Sequence, residues 1–348
     1  MNKKSLRKGF TTGACAAAAA KAAAVAYVTG ELPGEIDIPM PAGGRVRFSL
    51  LKVEKVGDKA RASVIKDAGD DPDITNGMEI IAEVSQGTKE GLSFEAGEGV
   101  GLVTRKGLSM PPGEPAINPG PRKMMNDAVR EVTDLPIKLT LSIPGGERVA
   151  QNTFNPRLGI MGGLSVLGTT GIVRPYSHEA ITASLVCSLD VAIATGSEII
   201  ALTAGNIGTS AAKGIGINEE IIVEVGNEWG FMLDMAKEKG IKKIVIAGHP
   251  GKLAKLAAGE FDTHSSRSKS AIPFVNETLN KYSGLSFENA NTVEEIIESL
   301  SGDMKKKGAS HLAALIANAV SEKCGADVTV HLVNMAGEIT GSSGLYNA

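Results

Sequence analysis

Four carboxylates crowd one short stretch. Asp67, Asp70, Asp71 and Asp73 lie within V-I-K-D-A-G-D-D-P-D-I-T-N-G-M-E-I, from Val64 to Ile80. They repel one another unless a cation sits among them, and the one base inside the run, Lys66, cannot neutralise all four. A calcium loop is excluded. Counting from Asp71 puts Asn76 where glycine is required and Ala82 where the bidentate glutamate belongs. Two readings stay open: a turn whose aspartates cap backbone N–H groups, or the wall of a site for a cationic ligand. Asp70 and Asp71 sit at the centre, between Gly69 and Pro72. They are the least free to reorient and are the pair with chemistry to offer.

Three other stretches could hold a ligand. Ala204-Gly205-Asn206-Ile207-Gly208-Thr209 follows an apolar run, and its glycines allow backbone to pack against a bound group. A plain turn fits the Gly205-x-x-Gly208 spacing at least as well, and Glu224 stands near the end of the next apolar run, where an acidic residue meets a ribose hydroxyl in dinucleotide-type folds. Gly248-His249-Pro250-Gly251-Lys252 is not a Walker loop, because Ile246 replaces its first glycine and Leu253 follows the lysine. His249 at a strand end reads evenly as functional or structural, and His264 is similar. His178, His311 and His331 read as structural or solvent-facing, and no two histidines have a metal-site spacing. Gly97-Glu98-Gly99-Val100-Gly101 lacks the third glycine of a dinucleotide fingerprint and opens no helix.

These groups need elements to position them. Thr11 or Thr12 caps an alanine-rich helix, Ala14 to Val28, that stops at Thr29-Gly30. Its small side chains permit close approach to a sheet, and its N-terminus suits an anion. Alternating residues predict strands over Ile36–Ile38, Arg45–Val56, Lys59–Ile65 and Met78–Ser85. Pro111 to Arg122 is a stiff loop of the kind that walls a site, and Pro121 opens a helix to about Val132. Ile137–Ile143 and Arg148–Gln151 read as a hairpin around Gly145-Gly146. Gly159 to Pro175 holds five glycines and no acid; it reads as the link between domains and a source of backbone N–H groups for a ligand. Beyond it, helices alternate with strands at Ile199–Thr203, Ile221–Val225, Lys243–Ala247 and Val328–Val333. The expected fold is an α+β domain over 1–155, followed over 156–348 by an α/β, Rossmann-like three-layer domain with a mainly parallel sheet.

Composition narrows the function. The 348 residues carry a net charge of −3 with four Tyr and one Trp, which argues against a nucleic-acid surface. Three widely spaced cysteines, Cys15, Cys187 and Cys324, fit a reducing, cytoplasmic setting. The alanine-rich run is interrupted by Lys21 and is too short to span a bilayer.

Several motifs, in order, resemble one family. They are Leu6-Arg7-x-Gly-Phe-Thr-Thr-Gly13, Lys66–Gly77, Gly99-x-Gly-Leu-Val-Thr-x-x-Gly107-Leu108, Pro112-Gly-Glu-Pro-Ala-Ile-Asn118-Pro, Gly168-Thr-Thr-Gly-Ile-Val-Arg174-Pro and Gly248–Gly259. Together they are similar to the CbiD family, the cobalt-precorrin-5B C(1)-methyltransferases of anaerobic cobalamin synthesis. The match runs from Leu6 to about Ser265 and weakens after His264.

The resemblance implies S-adenosylmethionine as methyl donor, no protein-bound metal, and a cobalt-bearing, carboxylate-rich tetrapyrrole as acceptor. Methyl transfer to a ring carbon needs alignment and exclusion of water more than a strong base, which agrees with the lack of a catalytic triad. The donor is then expected at Gly205, Asn206, Gly208, Thr209 and Glu224, and the macrocycle in a cleft facing the N-terminal domain. Lys66, Arg105, Arg122, Thr169, Thr170, Arg174 and Lys252 are the candidates to hold the macrocycle's carboxylates. Asp70, Asp71 and His249 are the candidates for the reacting centre. A nicotinamide-dependent reductase and a non-catalytic tetrapyrrole carrier remain as alternatives, and a homo-oligomer is left open.

Overall fold

The alanine run has the best helix formers available and almost no side chain to place. In the computed structural model, which describes residues 6–175, 177–287 and 290–344, it forms α1 (Thr12–Thr29). The Thr11 hydroxyl accepts the Ala14 N–H at 3.2 Å, and Gly30 ends the helix at φ 80°. A helix apolar all round belongs inside a fold. Ala14 and Ala16 to Ala20 are fully buried. The helix is longer than the apolar run read from the sequence as too short to span a bilayer: among the described residues α1 alone is long and apolar enough to cross a membrane, and 78% of that window is buried within the protein. Lys21 survives there because its Nζ donates to Asp37 O at 2.8 Å and to Glu131 at 2.6 Å.

The chain divides into two units, Met1–His178 and Glu179–Ala348. In the first, β4 (Lys52–Val56), β5 (Lys59–Ile65), β6 (Glu79–Gln86), β9 (Ile137–Ser142) and β7 (Leu92–Ala96) form a five-stranded sheet in that order. All its pairings are antiparallel except β7 with β9. Helix α1 lies across β5 and β6 and beside α2 (Pro119–Arg130). A Cβ on Gly13 would come within 2.8 Å of Pro121 Cγ, so glycine there sets how closely the two helices pack. β2 (Glu35–Pro39) and β3 (Arg45–Ser49) make a separate ribbon.

Arg45–Val56 is two strands, because the chain turns at Leu50-Leu51 to leave one sheet and enter another. Arg148–Gln151 forms no hairpin. β9 already has β6 on one edge and β7 on the other, so the following residues coil into α3 (Gly146–Ala150). Gly159–Pro175 does not link domains but is woven into the first unit. Its β10 (Ile160–Met161) pairs with β8 (Leu102–Val103), and its β11 (Ile172–Val173) pairs with β1 (Gly9–Phe10). The division therefore falls after His178 and not at 155.

The second unit starts from α4 (His178–Ala194), whose first residue closes the first unit, and carries the order β13-β12-β14-β15-β16. β12 (Ile199–Thr203), β13 (Ile222–Glu224), β14 (Lys243–Gly248) and β15 (Asp327–Val333) are parallel; β16 (Ile339–Ser342) is antiparallel and was not expected. From β12 the chain passes through α5 (Asn206–Gly214) to β13, then returns through α6 (Trp229–Glu238) across β12 to β14. α7 (Pro250–Ala257), α8 (Ile272–Ser283), α9 (Val293–Ser299) and α10 (Gly302–Cys324) follow before β15. Right-handed crossovers running in opposite directions put α5 on one face and α6 with α10 on the other. α10 accordingly packs on α6, α7, α8 and α9.

Candidate functional site

The reversal of strand order around β12 and β14 marks their carboxyl ends as the place where open α/β sheets take ligands. Every expected donor-binding residue lies at or beside these ends. Gly205 precedes α5 at φ +134°, and a Cβ there would meet nothing within 4 Å, so its backbone borders open space. Gly208 is the opposite case: a Cβ would lie 2.3 Å from Ala247 O, so only glycine lets α5 sit on the end of β14. The buried hydroxyls of Thr203 and Thr209 are 2.8 Å apart and tie β12 to α5. Glu224 is in register with Thr203 on the neighbouring strand.

Lys252, expected on the macrocycle, reaches these strand ends. Its Nζ donates to Ala204 O and Gly226 O, both at 3.4 Å, holding the loops after β12 and β13. Burial lowers its pKa, and the Glu224 carboxylate opposes that shift. His249 caps α7, with Nδ1 accepting the Gly251 N–H at 3.2 Å while Nε2 faces Glu294 at 3.0 Å. Nδ1 is thus engaged within the unit, while Nε2 is buried with no hydrogen-bond partner. His264 Nδ1 lies 2.8 Å from Ser266 Oγ.

In the first unit the acidic loop meets the N-terminal segment. Arg7 forms a two-pronged pair with Asp67, at 2.5 and 2.8 Å, and this holds the Asp67 carboxyl down at about 2. Asp70 accepts the Arg7 backbone N–H at 2.6 Å. Asp73 binds Lys66 at 2.5 Å and caps the Thr75 N–H at 2.8 Å. Lys66 is 1% exposed, so its ammonium is committed to this pair. The backbones touch as well: a Cβ on Gly69 would lie 2.3 Å from Arg7 O, and one on Gly9 would lie 2.0 Å from the Ala68 carbonyl carbon. The cation that the four aspartates require is therefore two cations, and sequence reasoning gave Arg7 no role.

Beside this clasp is a cavity of about 300 Å³, lined by Lys8, Phe10, Ala42, Thr170, Ile172 and Arg174 along with Gly9. Two expected substrate-binding residues, Thr170 and Arg174, thus converge. Lys8, Phe10 and Ala42 were missed, and the only sequence signal for Lys8 was the basic character of the first residues. Thr170 Oγ1 donates to Ile172 O at 3.1 Å, fixing the turn into β11. Thr169 is exposed next to it, against Gly120 at the start of α2.

Arg122 and Arg105 do other work. Arg122 donates to Ile117 O at 2.8 Å, pairs with Glu114 at 3.1 Å and lies 5.0 Å over the Phe94 ring, bracing the proline-rich loop. Arg105 donates to Arg157 O at 3.2 Å, and its stem fills the space beside Gly159. Among the described residues no group of three or more His, Cys, Asp or Glu could hold a metal ion. Burial pushes the Cys15 thiol up to about 12, which makes it a packing residue.

The profile of the CbiD family matches residues 1–175. A protein of Syntrophotalea carbinolica named cobalt-precorrin-5B C(1)-methyltransferase is 48% identical, over 97% of this chain and 97% of its own. A protein of the same name from Methanocaldococcus jannaschii is 43% identical, over 98% of this chain and 97% of its own. The crystal structure of a cobalamin biosynthesis protein (cbiD) from Archaeoglobus fulgidus is similar at 32% identity, covering 75% of this chain and 83% of that one with a TM-score of 0.40.

Proposed function

The chain belongs to the CbiD family, and from that premise we infer that it transfers a methyl group to C-1 of cobalt-precorrin-5B, giving cobalt-precorrin-6A in anaerobic cobalamin synthesis. The observation that carries this is similarity to proteins named for that reaction over nearly the whole of both chains. S-adenosylmethionine supplies the electrophilic methyl on its sulfonium. The ring carbon's electron pair forms the new C–C bond, and the C–S pair leaves with sulfur as a neutral thioether. The cobalt arrives and departs with the substrate.

The residues of the second unit fit such a donor. Gly205 offers bare backbone facing open space, and Glu224 offers an acceptor for a ribose diol at a strand end. Asn206, Gly208 and Thr209 set α5 behind that loop, and Lys252 keeps the two loop carbonyl groups in place. In the first unit Arg174 and Thr170 are assigned to the macrocycle, with Thr169 beside them. Asp70 acts through the Arg7 amide it holds, and Asp71 next to it is the carboxylate assigned to the reacting centre. His249 orders the strand-end loop through α7 and Glu294.

The test supplies cobalt-precorrin-5B and S-adenosylmethionine labelled in the methyl group. Label is expected at C-1, with S-adenosylhomocysteine formed in equal amount. Absence of label, together with an absorbance change when a reduced nicotinamide is supplied, would return the reductase reading.

A further inference from the structure

Lys8 and Arg174 are cations in an unusual relation. The β1–β11 ladder pairs Gly9 with Val173 and Phe10 with Ile172. The Thr11 N–H donates to Gly171 O at 3.0 Å, whereas the Phe10 N–H turns the other way, to Asp67 O at 2.7 Å. Hydrogen-bonded and open positions alternate along an antiparallel pair, and side chains come closest at the open ones. Phe10 with Ile172 is an open pair. One step beyond the ladder, Lys8 and Arg174 occupy the next open position on the same face, and all four side chains line the 300 Å³ cavity.

Like charges directly opposite each other oppose strand pairing. In this unit Arg7 is neutralised by Asp67, Arg45 by Asp37 and Glu131, and Lys66 by Asp73. Neither Lys8 nor Arg174 has an ion pair among the described residues. Both are exposed at the rim, while Phe10 and Ile172 make an apolar floor, with the Phe10 ring held 4.6 Å from Phe48. An apolar floor under a two-cation rim suits an anion carried on the edge of a flat apolar ring. A small free anion would have no use for the floor.

We propose that Lys8 and Arg174 together grip one carboxylate of the tetrapyrrole, whose ring edge rests on Phe10 and Ile172. This rests on the methyltransferase reading and adds Lys8 as a specificity residue. Asp67 and Asp70 become positioning residues, since they fix the backbone on either side of Lys8. The clamp should respond to salt, because its charges stand in solvent.

Steady-state methyl transfer on Lys8→Gln, Arg174→Gln and the double variant tests it, with donor affinity measured alongside. Each single variant is expected to raise KM for cobalt-precorrin-5B roughly tenfold or more, as losing a charged hydrogen bond does. Donor affinity should stay put, and Lys8→Arg should restore most of the loss. The double variant should lose much less than the product of the singles, because both cations hold the same group. An unchanged KM in Lys8→Gln overturns the clamp. So do fully multiplicative losses, which would mean two separate anions. If wild-type protein transfers no methyl at all, the function is wrong and not merely the clamp. Lys8 has no ion pair to lose among the described residues, so a fall in Tm for Lys8→Gln would mark it as structural and also overturn the proposal.

Discussion

Glu131 serves two cations at once. Arg45 bonds both of its oxygens at 2.7 Å, and Lys21 reaches it from inside α1 at 2.6 Å. Chiefly through Arg45, and against partial burial, its pKa falls from 4.5 to about 2. Asp67, held by Arg7, falls from 3.8 to about 2. Both shifts have the same sign. As pH drops, the unfolded chain takes up these protons before the native one does. The stability they contribute is complete above the unfolded values and drains away as pH falls through about 4.5 to about 2. The urea midpoint of the wild type is expected to fall across that window. Glu131→Gln should show a lower midpoint at neutral pH and a shallower fall, and parallel curves for the two proteins would count against this pairing. At this scale the sequence told only half the story. Four aspartates in one loop announced a need for positive charge, and Lys66 was visible inside the run. Arg7 was not, because its partner lies 60 positions away and no periodicity connects them.

Most elements were legible because their physics is local. The caps and alanine content of α1, the β-branched runs of β12, β14 and β15 and the punctuation around α7 each act within a few residues. The failures came where tertiary neighbours decided. β7 carries no strong pattern and exists by pairing parallel to β9, and that pairing denied Arg148–Gln151 the edge a hairpin needs. The glycines of Gly97–Gly101 resembled a nucleotide loop and proved to be contact glycines. A Cβ on Gly99 would stand 1.9 Å from Ile143 O. Gly208 is the counterpart in the second unit, and Gly208→Ala makes a sharp test. The added methyl must push α5 off the end of β14, 2.3 Å being far inside contact distance. S-adenosylhomocysteine binding by calorimetry should weaken by tenfold or more, roughly 1.4 kcal/mol. The acid-induced loss governed by Glu131 should not change. Normal affinity would move the donor away from α5.

Across the whole chain, the glycine-rich stretch 159–175 reads as a linker until its strands find partners in the first unit. One residue lets the units be watched separately. Trp229 is the chain's single tryptophan, fully buried in the second unit's core. Its fluorescence reports that unit's unfolding. With S-adenosylhomocysteine at a hundred times its dissociation constant, the unit that binds it gains about 2.7 kcal/mol. The tryptophan-detected unfolding midpoint should therefore rise; a fixed midpoint under saturating ligand would exclude the second unit as the donor's home. The pairing of β1 with β11 has a further consequence, in time and not in space. The ribosome releases Lys8 well before Arg174. At ordinary elongation rates the wait between them is on the order of ten seconds. Through that interval Arg7 and the acidic loop can already be joined, while Lys8 waits without its opposite number. The pocket is thus among the last features of the first unit to close, and a nascent chain cut before β11 would carry the clasp but no site.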